Sequence, residues 1–224
     1  MERVVFSWSG GKDSAMAMHE LQREGRYQVA ALLTTVTGDY DRISMHGVRR
    51  SLLEQQAAAV GLPLEEVILP KESSNEEYET QMAEVLTRYN EQGVHAVVFG
   101  DIFLEDLRKY REQNLAKLGM KGIFPLWKRD TSDLVTSLIG LGFKARTVCV
   151  DNHALGREFV GRTIDQGFLA ELPANVDVCG ENGEYHSFVY DGPIFDHSIP
   201  CRPGEIVLRD GRFYFCDLVG GEAC

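Results

Sequence analysis

The chain has 224 residues, 44% of them hydrophobic and 25% charged, with a formal net charge of −11. That length holds one large domain or a main domain with a smaller appendage, and no apolar run approaches the roughly 20 residues of a membrane span. The acidic balance argues against nucleic acid as the main partner, because neutralising phosphates takes a basic stripe, and the only basic cluster is Arg108, Lys109, Arg111, Lys117 and Lys121.

In chain order, Arg3–Trp8 is an apolar run that predicts a first strand, and Ser9-Gly10-Gly11-Lys12-Asp13-Ser14 follows it directly. Ala15, Met18 and Leu21 then recur at helical spacing, Val29–Thr37 predicts a second strand, and Leu52, Leu53, Ala57 and Val60 another helix. Leu64–Leu69 reads as a third strand. Asn75–Gln92 is the clearest helix, with Tyr78, Met82, Val85 and Tyr89 on one face. Ala96–Phe99 is a fourth strand, Leu107, Leu115 and Leu118 mark a helix, and Asp130 with Asp133 marks a capped helix start. Ala145–Val150 completes five strands. Strand and helix alternating in this way imply an α/β fold, a doubly wound parallel sheet of five strands over residues 1–150. From residue 151 to 224 Gly, Pro, Asn and Asp become frequent. There Ser187–Tyr190 reads as a strand, and Glu205–Leu208, Asp210-Gly211 and Phe213–Phe215 read as a hairpin, so a smaller α+β portion is expected. The tail from Gly220 to Cys224 is expected to fray.

The chemistry starts at the first turn. A strand ending in Gly-Gly that turns at once into a helix points several backbone N–H groups, and the positive end of the helix dipole, at one spot. Such a spot binds an anion, and phosphate fits it. The glycines let the backbone approach, Lys12 adds a charge, and Ser9 and Ser14 add hydroxyls. Asp13 after the lysine rules out the Walker spacing. The six residues instead resemble the PP-loop of the ATP pyrophosphatase superfamily, whose members cleave ATP between its α and β phosphates.

Ligands of open α/β sheets sit at the carboxyl ends of strands where strand order reverses. If the first and fourth strands are neighbours, Gly100-Asp101 faces the phosphates, and Asp101 either holds Mg²⁺ or caps the next helix. The other dense polar run is Cys179-Gly180-Glu181-Asn182-Gly183-Glu184-Tyr185-His186-Ser187-Phe188. Loops carrying such groups are often sites.

Together with Ser44-Met45-His46-Gly47, Gly100-Asp101-Ile102 and Gly192-Pro193, these stretches resemble the diphthine–ammonia ligase family of PP-loop ATP pyrophosphatases over nearly the whole chain. The resemblance implies a HUP-like nucleotide-binding domain followed by a smaller substrate-side domain, with ATP and Mg²⁺ as cofactors. It implies amide synthesis, in which a substrate carboxylate is adenylated and ammonia displaces AMP. On that basis Gly10, Gly11 and Lys12 hold the departing pyrophosphate, Ser9 and Ser14 contact phosphate, and Asp13 and Asp101 take Mg²⁺. Lys12, Asp13, Glu181 and Glu184 are then the catalytic set. Glu181, Asn182, Glu184, Tyr185 and His186 line the acceptor side, where carboxylates beside an aromatic face suit the trimethylammonium of diphthine. The family's diphthine-amidating members carry a glycine and a carboxylate where this chain has Asn182 and His186. It therefore resembles a sister branch, for which amidation of another, cobalamin-related metabolite is the alternative.

Two further readings stay open: a tRNA-modifying PP-loop enzyme, and a nucleotide-binding sensor without chemistry. His46, in a loop after the second strand, is either near the nucleotide or simply structural. Cys149 and Cys201 are either a thiolating pair or, as favoured here, small buried hydrophobes. His95, His153 and His197 show no metal-ligand spacing. Five scattered cysteines and too short an apolar start for a secretory signal suit a reducing compartment, with the cytoplasm expected. A homo-oligomer is compatible with all of this.

Overall fold

The computed structural model describes residues 1–43 and 46–221, so Ser44, Met45 and the tail residues Glu222, Ala223 and Cys224 lie outside the described residues. The elements in order are β1 (Glu2–Ser7), α1 (Lys12–Glu24), β2 (Tyr27–Thr37), β3 (Arg42–Ile43), α2 (Arg50–Val60), β4 (Leu64–Leu69), α3 (Asn75–Glu91) and β5 (Ala96–Val98). They continue with α4 (Glu105–Lys117), β6 (Lys121–Ile123), α5 (Thr131–Gly140), β7 (Lys144–Asp151), α6 (Gln166–Glu171), β8 (Tyr185–Asp191), β9 (Cys201–Arg209) and β10 (Phe213–Gly220).

Five parallel strands run in the order β4-β2-β1-β5-β6, with the two-residue β3 antiparallel to the end of β2. β1 therefore lies between β2 and β5, with Val5 opposite Val97 and Phe6 opposite Val98. Neighbouring first and fourth expected strands put Ser9–Ser14 and Gly100-Asp101 at one end of the sheet. A second, antiparallel sheet runs β8-β7-β10-β9 and includes the hairpin expected around Asp210-Gly211.

One strand belongs elsewhere than its sequence suggests. Ala145–Val150 was expected as the fifth parallel strand, but β7 is a central strand of the antiparallel sheet, and the fifth parallel position is taken by Lys121–Ile123. The sheets therefore change before residue 144 rather than at 150. β7 is flanked on both edges and almost wholly buried, so its apolar run reads like a parallel strand; Lys121-Gly122-Ile123 is too short to show any period.

Packing follows the periodicities. One core, around Phe6, Trp8, Met18, Leu52, Phe168, Tyr185 and Phe188, lies between one face of the parallel sheet and the second sheet; the other, around Val5, Leu33, Val85, Leu86, Val97 and Phe99, lies under α3 and α4. α3 opens with a capping box, Ser74 Oγ accepting from Glu77 N at 3.2 Å and Glu77 Oε2 accepting from Ser74 N at 2.8 Å. α5 is capped by Asp130, which accepts from Asp133 N at 3.0 Å. No helix among the described residues is long and apolar enough to cross a membrane.

Candidate active site

The loop from Ser9 to Ser14 joins β1 to α1 where the strand order reverses. Gly10 has φ +75°, and a Cβ there would lie 2.5 Å from Gln56 Oε1, so only glycine fits the turn. Gly11 caps α1 without any side-chain hydrogen bond to the helix. Gly11 N donates to Ser9 Oγ at 3.3 Å and Lys12 N to Ser187 Oγ at 3.1 Å, while the N–H groups of Asp13 and Ser14 have no acceptor among the described residues. Two unsatisfied amides at the positive end of a helix are the donor set an anion needs. Ser14 Oγ donates to Gly11 O at 2.9 Å and lies 3.2 Å from Ser9 Oγ, closing the loop on itself.

Lys12 is buried at 4% exposure, with Nζ 2.9 Å from Asp13 Oδ2 and 5.0 Å from the centre of the Tyr185 ring. Burial is the largest influence and opposes its charge, but Asp13, Tyr185 and Cys179 together outweigh it and raise the lysine above its ordinary pKa. The ring face expected to receive a substrate cation thus carries Lys12, and the Tyr185 hydroxyl donates to Val178 O at 2.5 Å.

Gly100 brings the end of β5 against the loop: a Cβ there would sit 2.9 Å from the Asp13 carbonyl carbon. Asp101 does not cap α4, whose N-cap is Leu104 without a side-chain bond. Instead Asp101 Oδ1 accepts from an Arg111 guanidinium nitrogen at 3.2 Å, and Oδ2 lies 2.7 Å from Arg111 Nε but off hydrogen-bonding angle. The second contact is therefore charge alone, and Oδ2 is buried without a hydrogen bond. Burial raises the Asp101 pKa, with Arg111 opposing and Asp13 adding to the shift.

The 177–186 loop approaches from the second sheet. Asp177 organises it, accepting from Cys179 N at 3.0 Å, from Glu181 N at 3.2 Å and from the Thr131 hydroxyl at 2.8 Å. Glu184 is buried and accepts from Asp177 N, Asn182 N and Asn182 Nδ2 at 3.0, 3.0 and 3.1 Å. Its carboxylate, and with it the side chain of Asn182, shapes the loop. Glu181 alone turns to the crevice, accepting from Ile102 N at 2.8 Å beside Asp101. Burial, with Asp13 adding, pushes its pKa up to about 7 against the backbone N–H of Ile102.

His46 Nδ1 lies 3.3 Å from Ser187 O, and its ring is 4.7 Å from that of His186. A Cβ on Gly11 would approach His46 Cε1 to 3.2 Å, so the histidine packs on the phosphate loop. Burial lowers His46 to about 3, with His186 adding, and lowers His186 to about 4, with Lys12 adding. Both rings are neutral at physiological pH.

Gln56 was not singled out by any motif, yet it is fully buried beneath the loop. It accepts from Trp8 Nε1 at 3.0 Å and donates to Gly10 O at 3.0 Å and Val189 O at 2.5 Å. Val189 N in turn donates to Gly10 O at 2.9 Å, so β8 is stitched directly to the turn. Ser187 and Asp177 are likewise supports that no motif announces, Ser187 accepting from Lys12 N and Asp177 ordering the acceptor loop. The four described cysteines, Cys149, Cys179, Cys201 and Cys216, are free thiols; burial pushes Cys149 up to about 12 and Cys201 up to about 11, which suits small hydrophobes. Among the described residues no group of three or more His, Cys, Asp or Glu could hold a metal ion.

Against known families, a model of the diphthamide synthase N-terminal domain matches residues 2–122, and one of the C-terminal domain matches residues 130–216. The chain belongs to the diphthamide synthase family. Its relatives named diphthine–ammonia ligase include one from Homo sapiens, 29% identical over 92% of this chain and 85% of that protein, and one from Danio rerio, 30% identical over 92% and 89%. Membership makes the chain an ATP-dependent carbon–nitrogen ligase. A predicted subunit of tRNA methyltransferase from Methanocaldococcus jannaschii aligns structurally at a TM-score of 0.45 and 15% identity, covering 86% of this chain and 98% of that one, too distant to carry weight here. The two diphthamide synthase matches leave a gap at residues 123–129, ahead of β7.

Proposed function

We propose that this diphthamide synthase family member joins ammonia to a substrate carboxylate through an acyl adenylate, with diphthine as the acceptor that its relatives' name suggests. The observation that carries the reading is the pair of acceptorless N–H groups, Asp13 and Ser14, beside Lys12 and across from Glu181. ATP would lay its β and γ phosphates on those amides. A carboxylate oxygen of the acceptor attacks the α-phosphorus, and the bond to pyrophosphate breaks while the loop holds the leaving charge. Ammonia then adds to the acyl carbon, the carbon–oxygen bond to AMP breaks, and Glu181 takes the proton lost from nitrogen.

Mg²⁺ brought in with the nucleotide fits the donor set. Asp13 and Asp101 offer hard carboxylate oxygens, one of them the buried, unbonded Oδ2 of Asp101, and phosphates and water would complete the shell. Bound there, the ion would spread the charge of the departing pyrophosphate.

A specific observation favours a second acceptor class. Tyr185 carries Lys12 on its ring, Glu184 is spent inside its loop and His186 is neutral, which leaves Glu181, held by the Ile102 N–H, as the loop carboxylate turned to the crevice. That set suits a carboxylate metabolite without a quaternary ammonium. Exchange of labelled pyrophosphate into ATP, run with diphthine-bearing protein and with a panel of carboxylic acids, tests both. Exchange that depends on one acid names the acceptor, whereas ATP binding with no acid-dependent exchange would refute adenylation.

A further inference from the structure

Beside the phosphate loop lies a recess of about 10 Å³, room for one molecule the size of water. Lys12, Asp13 and Cys179 contribute to its lining, so it touches both the phosphate loop and the start of the acceptor loop. Leu134, Val135 and Leu138 of α5 supply much of the remaining lining, all three buried. Water needs two to four polar partners to be held, and this lining offers few.

We infer that this recess is the waiting site for the nitrogen nucleophile, and that it takes neutral ammonia in preference to ammonium; the inference rests on the ligase reading above. Size comes first, since ammonia matches water in volume and any substituted amine is larger. Charge comes second. Ammonium in the recess would lie against the buried cation of Lys12, whose partner Asp13 is already engaged at 2.9 Å, and would lose its hydration to apolar walls. Ammonia needs only an N–H acceptor, for which the Asp13 carboxylate has a second oxygen beside the one that meets Lys12, and it gives up far less hydration than ammonium on leaving water. From there its lone pair forms the carbon–nitrogen bond, AMP leaves with the carbon–oxygen electrons, and one proton passes from nitrogen to base. Position comes third: the recess is lined by Lys12 and Asp13 of the phosphate loop and by Cys179, two residues before Glu181, so it adjoins both parts of the proposed reaction site.

The test fills and enlarges the recess from α5, away from every group that contacts nucleotide. Val135→Ile should raise the KM for ammonia about tenfold, the usual effect of one methylene in a tight pocket, and Val135→Ala should admit methylamine as an acceptor that the parent refuses. Pyrophosphate–ATP exchange, measured without ammonia, should match the parent in both variants and reports that each is folded. Normal exchange with unchanged ammonia KM and no methylamine use would overturn the recess and leave the ligase standing. Failure of ammonia to discharge the adenylate in the parent protein would overturn both.

Discussion

Gly100 and Asp13 meet backbone to backbone. A methyl group on Gly100 would stand 2.9 Å from the Asp13 carbonyl carbon and 3.0 Å from Ser14 N. Neither neighbour is the flexible end of a side chain, so the clash is relieved only by moving β5 from α1. Gly100→Ala should therefore widen the crevice that holds Asp101 opposite the phosphate loop. Overpacking of this kind costs about 1–3 kcal/mol, and the KM for ATP should rise with it. Urea unfolding and ATP titration check the two effects; a variant with unchanged ATP affinity would show that the crevice tolerates the shift.

Gln56 has a comparable role from below. Its amide satisfies Trp8 Nε1, Gly10 O and Val189 O at once, tying α2, the first turn and β8 together. Gln56→Leu preserves volume but strands buried polar groups, each worth about 1–3 kcal/mol when left unpaired. The expected loss is about 3 kcal/mol or more in chemical unfolding, with nucleotide binding weakened as the Gly10 turn loosens. A stable variant with full ATP affinity would mean that β8 holds the turn alone through Val189 N.

How much of this was legible in the sequence depends on whether the information is local. The phosphate loop reads directly because a tight turn, close approach and a helix start all need particular residues side by side. α3 reads because its period and its Ser74–Glu77 cap agree, and the last hairpin because Asp210-Gly211 demands its turn. β6 has three residues and no period, so its place in the sheet comes from pairing with β5 alone. β7 presents the same buried run in either sheet. The division of labour in the acceptor loop was equally hidden: Glu181 and Glu184 look alike three residues apart, and only their N–H partners decide that Glu184 is consumed inside the loop while Glu181 reaches out to Ile102. Gln56 carries no motif at all, because its partners lie 46, 48 and 133 residues away in the chain.

The two histidines make the fold acid-labile. Both are held neutral, His46 lowered to about 3 and His186 to about 4 from an ordinary 6.5, chiefly by burial. The unfolded chain binds their protons below pH 6.5 while the folded chain does not, so stability falls as pH drops from 6.5 toward about 4. Above 6.5 the contribution is fully present. Unfolding free energy measured across that window should slope downward in the parent, and His186→Gln should flatten the slope. An identical slope in the variant would place the acid sensitivity elsewhere.

Glu184 and Glu181 should separate cleanly under the same substitution. Glu184→Gln replaces an acceptor oxygen by an amide donor facing loop N–H groups, so it should lower thermal stability and impair acceptor use together. Glu181→Gln should leave pyrophosphate–ATP exchange intact and slow discharge of the adenylate by ammonia. Because burial holds the Glu181 pKa near 7, the discharge rate of the parent should rise as pH climbs through about 7 and the base becomes charged, with free ammonia held constant at each pH. The Glu181→Gln variant should lose that limb, since its amide does not titrate. If the rise near pH 7 persists in the variant, the proton goes to another group, and Glu181 holds the loop against Ile102 without taking part in the transfer.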